Sequence, residues 1–554
     1  MHAATTPRRR VARRAGVACA CAVIATAAVA RTRQTVAIPM RDGAALAGDV
    51  YLPGPGSWPV ILIQTPYNKN LFAAALSGAG DDPLFASPEY AFVVTDWRGY
   101  FASAAAASPG YDRGLDGYDT VEWIAAQPFS NGRVGTWGAS ALGVVQFQTA
   151  AAHPPHLRAA VPEVAHLRDT YELYYPGGVY ARNKNTFVAT VFGGDALVRA
   201  HPTDDLAWQA VEAAGIKGSD IDVPMLIVSG WYDHETDLTL AAASEIQSEG
   251  GPHARGLAKV LVGPWSHSHL DEADQNALSF PAAAGEAARR ALAFFDLYLR
   301  GVATGADAWP FVTYFRIHDD VWREAGAWPP PAVTTALRLG EDGTLAPVQP
   351  SSPAPVSWTS DPTSPVPTLF GAILIQTTGW TQGPGDLTPI ESRRDVLTFT
   401  TPILAQPLRI EGRATATAWI ASTAVDADLA VRLTDVDPAG HSWLLVDSIR
   451  RASLRDSYGS RELLSPGVPV EVAVELPSLA ATIPAGHRLR VDVAASNYDR
   501  FDVNLQDGSS LSDAPGGVPT PAEVTLRLDD AHPAVLELPL VADHVVRRHV
   551  SRGR

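Results

Sequence analysis

A serine hydroxyl becomes a useful nucleophile only when a base removes its proton and an acid orients that base. This chain offers the three groups in the order Ser, Asp, His, each at the end of an apolar run. They are Ser140 in RVGTWGASALG, Asp233 in PMLIVSGWYD and His267 in AKVLVGPWSH. In a parallel α/β sheet the strand ends share one edge, so side chains leaving the last residues of separate strands converge there. Gly138 and Ala139 supply the small neighbours that a sharp strand-to-helix turn at Ser140 needs, although the spacing is G-x-S-x-x-G rather than G-x-S-x-G. Glu235 and Asp237 are rivals of Asp233, and His269 is a rival of His267. No His/Asp/Glu cluster has the spacing of a metal site, so neither a metal nor another cofactor is expected.

The elements that must position these groups follow from residue periodicity. QTVAIPMRDGAALAGDVYLP alternates around Asp42-Gly43 and predicts a β-hairpin. PVILIQT, YAFVVTD, RVGTWG and RAAVPEV are short β-rich runs, separated by helical stretches such as GLDGYDTVEWIAAQ and ALGVVQFQTAAAH. Strands alternating with helices mean a doubly wound α/β sheet. The rhythm breaks at about 166–221, an aromatic-rich segment that reads as a helical cap inserted over the strand ends. It resumes at PMLIVSG and AKVLVG, and the helix AGEAARRALAFFDLYLRG closes the layer near Gly301. Past a Pro/Ser-rich stretch, many short alternating strands predict a sandwich or jelly roll.

With 554 residues, two or three domains are expected, and 46% apolar against 18% charged residues describes a packed globular protein. The net charge is −16 and no basic run occurs beyond the N-terminus, which argues against a nucleic-acid partner. Residues 1–30 differ from the rest: RRRVARR precedes an apolar run of about 16 residues ending in Ala28-Val29-Ala30. That is the layout of a secretory leader, with a twin-arginine route permitted, so the protein is expected to be exported, periplasmic or secreted. A mis-annotated start codon, and hence a cytoplasmic protein, is the alternative. Both cysteines, Cys19 and Cys21, fall inside this leader, and no later stretch is long and apolar enough to span a membrane.

The markers MRDG, QTPYNK, DWRGYFAS, GRVGTWGASALGVVQFQ, LYYPGG, GWYDHE and GPWSHS, with DADLAVRLTDVDPAG and ASNYDRFDVN further on, resemble one family. It is the group of α/β hydrolases that includes cocaine esterase, the α-amino acid ester hydrolases, glutaryl acylases and X-Pro dipeptidyl peptidases. The resemblance implies an α/β-hydrolase domain with a short helical cap and a C-terminal all-β jelly roll. The expected division is a leader at 1–30, a catalytic domain at 31–325 and a connection at 326–368, followed by the jelly roll at 369–546. It further implies Ser140 as nucleophile, His267 as base, Asp233 as the orienting acid, and an oxyanion hole from the Tyr67 phenol and the Ala141 N–H. Ala141 stands where the family usually has Tyr; the backbone donor is unaffected, but a side chain that helps line the acyl pocket is lost.

The expected activity is therefore that of a serine hydrolase, an esterase or acylase, acting on a small-molecule ester or activated amide through an acyl-enzyme. An X-Pro dipeptidyl peptidase is the first alternative, and a carbohydrate-binding protein with a silent hydrolase domain the second. Asp169, Glu172 and Tyr175 in the cap are candidate substrate contacts, with Glu163 a further candidate amine anchor. Asp112, Asp116 and Asp119 read as charge at a helix start, and Arg98 as a structural pin. A homo-oligomer is a candidate assembly.

Overall fold

The computed structural model describes residues 31–79, 82–348, 353–376 and 381–542. The leader, its cleavage site, both cysteines and the last residues of the expected jelly roll lie outside the described residues. Eight strands build the first part of the sheet: β1 (Thr32–Pro39), β2 (Ala45–Leu52), β3 (Trp58–Thr65), β4 (Ala91–Asp96), β5 (Ser130–Ala139), β6 (Leu157–Glu163), β7 (Leu226–Tyr232) and β8 (Lys259–Ser266). Beyond the helix that was expected to close the layer, β9 (Val312–Arg316) and β10 (Val321–Ala325) add two more strands. The spatial order is β1-β2-β4-β3-β5-β6-β7-β8-β9-β10. From β4 to β9 all neighbours run parallel, while β1, β2 and β10 join antiparallel at the edges.

Central strands are covered on both faces, which is why they read as continuous apolar runs rather than alternating ones. Val60, Ile61, Leu62 and Ile63 of β3 are all buried, as are Phe92, Val93 and Val94 of β4. The covering helices include α1 (Arg113–Ala125) and α2 (Ala141–Ala151). Asp112 caps α1 by accepting from the Gly114 and Leu115 N–H groups. Arg98 grips Asp116 and Asp42 in ion pairs of 2.6 and 2.8 Å, and Arg41 grips Asp119 at 2.7 Å, so these acids are structural. The chain goes from β3 to one side of it and returns to the other with β5. That reversal opens a crevice outside the carboxyl ends of these two strands, the usual ligand position in such sheets.

Between β6 and β7 lies the helical insertion, with α3 (Arg182–Phe192) and α4 (Leu206–Ala214) as its longer helices. Its aromatic richness builds a small core of its own from Tyr171, Tyr175, Tyr180 and Trp208; the Tyr171 and Tyr175 rings stack at 5.2 Å. The chain then returns to the sheet, where α5 (Thr236–Glu249) follows β7 and α6 (Glu286–Phe295) follows β8. The C-terminal part is all-β, a nine-stranded and a four-stranded sheet with antiparallel pairing within their ladders. It is fused to the α/β layer: Arg316 of β9 pairs with Glu411 at 2.8 Å, both buried, and the Tyr314 hydroxyl donates to the same carboxylate at 2.7 Å. Such a pair is satisfied only if both partners stay in place, so it fixes how the two parts dock.

Candidate active site

Ser140 is the single residue between β5 and α2, and its backbone is held at φ 59°, ψ −126°. A non-glycine residue with positive φ is strained and persists only where its surroundings dictate it. Here the Ser140 N–H donates to the Glu163 carbonyl at 2.9 Å, and its own carbonyl accepts from Gly143 and Val144. Two glycines make room. Gly138 sits at φ 142°, and a Cβ at Gly143 would lie 2.6 Å from the Ala165 Cβ and 2.8 Å from the Glu163 oxygen. The second glycine of the G-x-S-x-x-G spacing thus lets α2 pack against the chain leaving β6. Ala141 opens the helix, where backbone N–H groups have no partner within the helix.

Asp233 follows β7 and His267 follows β8, neighbouring strands of the sheet. The His267 Nδ1 lies 2.5 Å from the Asp233 Oδ2, and the other Asp233 oxygen accepts the Glu235 N–H at 2.7 Å. Burial pushes the His267 imidazole toward its neutral form, but the Asp233 carboxylate outweighs it and the net shift is upward. The rivals are engaged elsewhere. Glu235 pairs with His166 at 3.1 Å, Asp237 accepts from the Ser478 N–H, and His269 binds Glu272 at 3.0 Å.

Tyr67 follows β3, across the crevice from the turn that ends β5. Burial raises its phenol pKa, and interaction with the Ser140 side chain offsets part of that rise. Tyr67, Ser140 and His267 share a cleft of about 630 Å³. Its other walls are largely apolar: Phe72, Trp137 and Leu142 from the α/β layer, Phe187 from α3, and Leu374 and Ile375 from the all-β part.

None of the three cap residues expected to contact substrate lines this cleft. Tyr175 is 1% exposed in the cap core, its hydroxyl donating to the Val198 carbonyl. Asp169 pairs with His166 and accepts from the Tyr174 hydroxyl. Glu172 borders a neighbouring cavity between cap and all-β domain, which reaches Asp233 and shares Leu374 with the cleft. Glu163 is buried beneath the cleft; burial raises its carboxyl well above the usual range, and it accepts from the Trp137 indole at 3.2 Å.

Two further buried residues were not singled out from the sequence, although His234 falls within the GWYDHE marker; Lys184 lines the neighbouring cavity rather than the cleft. His234 is buried and held toward neutrality by burial, its ring 4.7 Å from that of His267. Asp233, His234 and His267 each present one donor atom within 4.8 Å of one another, but two of the three are already bonded together. Lys184, buried on α3, lies over the Tyr174 ring at 4.3 Å, and burial brings its pKa down to about 8.

Comparison with known proteins fits this arrangement. Residues 42–213 match the X-Pro dipeptidyl-peptidase (S15 family) profile, and residues 304–536 match the X-Pro dipeptidyl-peptidase C-terminal non-catalytic domain. The cocaine esterase of Rhodococcus sp. (strain MB1 Bresler) is 29% identical, the match spanning 91% of this chain and 98% of that one. The chain therefore carries an S15-family segment and, after it, the C-terminal domain of X-Pro dipeptidyl peptidases. Its fold is shared with an aminopeptidase from the marine sediment archaeon Thaumarchaeota archaeon (TM-score 0.80, 23% identity, 98% and 99% of the two chains). It is shared equally with an α-amino acid ester hydrolase (TM-score 0.79, 24% identity, 94% and 98%). Within the S15 family segment of this chain lie Tyr67 and Ser140, whereas Asp233 and His267 follow it. The domain described as non-catalytic supplies Leu374 and Ile375 to the cleft.

Proposed function

We propose that this chain is a serine hydrolase that cleaves small carboxylic esters, or activated amides, through an acyl-enzyme on Ser140. His267 takes the Ser140 proton as the oxygen attacks the carbonyl carbon. Asp233 keeps the imidazole oriented and stabilises the imidazolium that forms. The oxyanion is received by the Tyr67 hydroxyl and the Ala141 N–H, donors fixed before the charge appears. His267 returns the proton to the leaving alcohol; water, activated by the same imidazole, then releases the acid and Ser140. The observation that carries this reading is the 2.5 Å Asp233–His267 contact beside a cleft that also holds the strained Ser140 and Tyr67.

The lining favours an ester over an X-Pro peptide. Among the described residues that line the cleft none is a carboxylate, so a free α-ammonium finds no counter-ion there. The constellation also favours catalysis over carbohydrate binding by the β domain, which we read as a jelly roll. Paired arginines and an apolar run before Ala28-Val29-Ala30 support export, and among the described residues no helix is long and apolar enough to cross a membrane. The test is kcat/KM on a p-nitrophenyl ester and an X-Pro p-nitroanilide, each against Ser140→Ala. Fast ester turnover lost in the variant is expected; turnover that survives the substitution overturns the assignment of Ser140.

A further inference from the structure

Leu374 and Ile375 form part of the cleft wall without belonging to a helix or strand. A loop in that position needs partners for its backbone polar groups, and two buried side-chain amides provide them. Asn183, 5% exposed on the first turn of α3, accepts from the Leu374 N–H at 2.9 Å and the Ile375 N–H at 2.8 Å, and donates to the Ile375 carbonyl at 3.2 Å. From the other side, Gln382 is fully buried and donates to the Leu374 carbonyl at 2.9 Å. The same amide accepts from the Ser268 N–H at 2.7 Å and donates to the Ser268 hydroxyl at 3.0 Å, one residue from His267. Asn183 is also four residues from Phe187, so one face of α3 presents both the clamp and another apolar wall of the cleft.

We infer that Asn183 is a positioning residue for substrate selection. It holds the Leu374–Ile375 wall against the cap, and through Gln382 that wall is tied to the loop of His267, so the clamp sets the width of the acyl pocket. A side chain that served only to glue two domains together would affect all substrates alike. This one holds two residues that line the cleft and leaves the Ser140, His267 and Tyr67 groups untouched, so its loss falls on bulky acyl groups. The inference rests on the serine-esterase reading above.

The experiment compares p-nitrophenyl acetate, hexanoate and benzoate on the full chain with Asn183→Leu and Asn183→Asp. Asn183→Leu removes all three hydrogen bonds. It is expected to raise KM for the benzoate and hexanoate at least fivefold while kcat on the acetate stays within threefold. Asn183→Asp keeps the acceptor for both N–H groups and is expected to recover most of the selectivity. If Asn183→Leu does not fold, Asn183→Ala removes the same three hydrogen bonds without added bulk and carries the same expectation. Unchanged KM ratios in a folded variant, or an equal fall in kcat on all three esters, overturn the inference. Failure of the esterase reading shows separately, as parent turnover that survives Ser140→Ala.

Discussion

Replacing Asp233 by Asn tests the orientation of His267 most directly. In the parent, one Asp233 oxygen accepts the Glu235 N–H at 2.7 Å and the other faces the His267 Nδ1 at 2.5 Å. An asparagine there must keep its carbonyl oxygen toward the Glu235 N–H, because an NH₂ group facing an N–H gains nothing. Its NH₂ then points at His267, which can answer only with an unprotonated Nδ1. The proton moves to Nε2, and the nitrogen needed to accept the Ser140 proton is blocked. Losing the correct tautomer in a triad of this kind costs about 10⁴-fold in kcat, or about 5.4 kcal/mol of barrier. The acid limb of kcat/KM moves as well. In the parent it lies above the ordinary imidazole value of about 6.5, because Asp233 overcomes the effect of burial. In the variant both Asp233 contributions are gone and only the weaker pull of the Glu235 carboxylate still opposes burial, so the limb shifts downward. The assay is a pH series of kcat/KM on a p-nitrophenyl ester, with thermal melting to show that the variant is folded. A folded variant that loses less than tenfold, or keeps its acid limb in place, would falsify this account of His267.

Three further outcomes follow from the geometry. Tyr67→Phe removes a hydroxyl beside Ser140 and is expected to lower kcat by about 10²–10³ with little change in KM, as for loss of one oxyanion donor; steady-state kinetics on the ester decide it. Gly143→Ala places a methyl 2.6 Å from the Ala165 Cβ and 2.8 Å from the Glu163 oxygen. The neighbours cannot yield easily, so a loss of about 1–3 kcal/mol by denaturant titration is expected. Lys184 has a folded-state pKa of about 8, below its unfolded value, so keeping it charged opposes folding fully below pH 8, and the penalty fades as pH rises to about 10.4. Lys184→Met is therefore expected to be more stable than the parent at pH 7, by on the order of 3 kcal/mol, and the gap should close by pH 10. A gap that does not change with pH would assign the effect to packing.

The sequence by itself determined the sheet as far as β8, the turn at Ser140 and the three strand-end positions, because each depends on local properties; β9 and β10 emerged only in the structure. Apolar runs such as PVILIQT record strands covered on both faces, and the glycines flanking Ser140 record a turn that no larger residue could make. The order of Ser140, Asp233 and His267 along the chain follows from which strand each one ends. The family resemblance already pointed to Asp233 rather than Glu235 or Asp237 and to His267 rather than His269; where the rivals go is seen only in the tertiary structure. All of these stand within a few residues of a strand end, and only packing shows that Glu235 is taken by His166 and Asp237 by the backbone at Ser478. Packing likewise drew Tyr175 into the core of the cap, where the sequence left it a candidate substrate contact. It also brought Asn183 to Leu374, about 190 residues further along the chain. An amide in a helix looks the same in sequence whether it faces water or clamps a distant loop. Local patterning therefore carries the groups expected to do the chemistry, while the walls of the cleft are set by how the cap and the β domain dock.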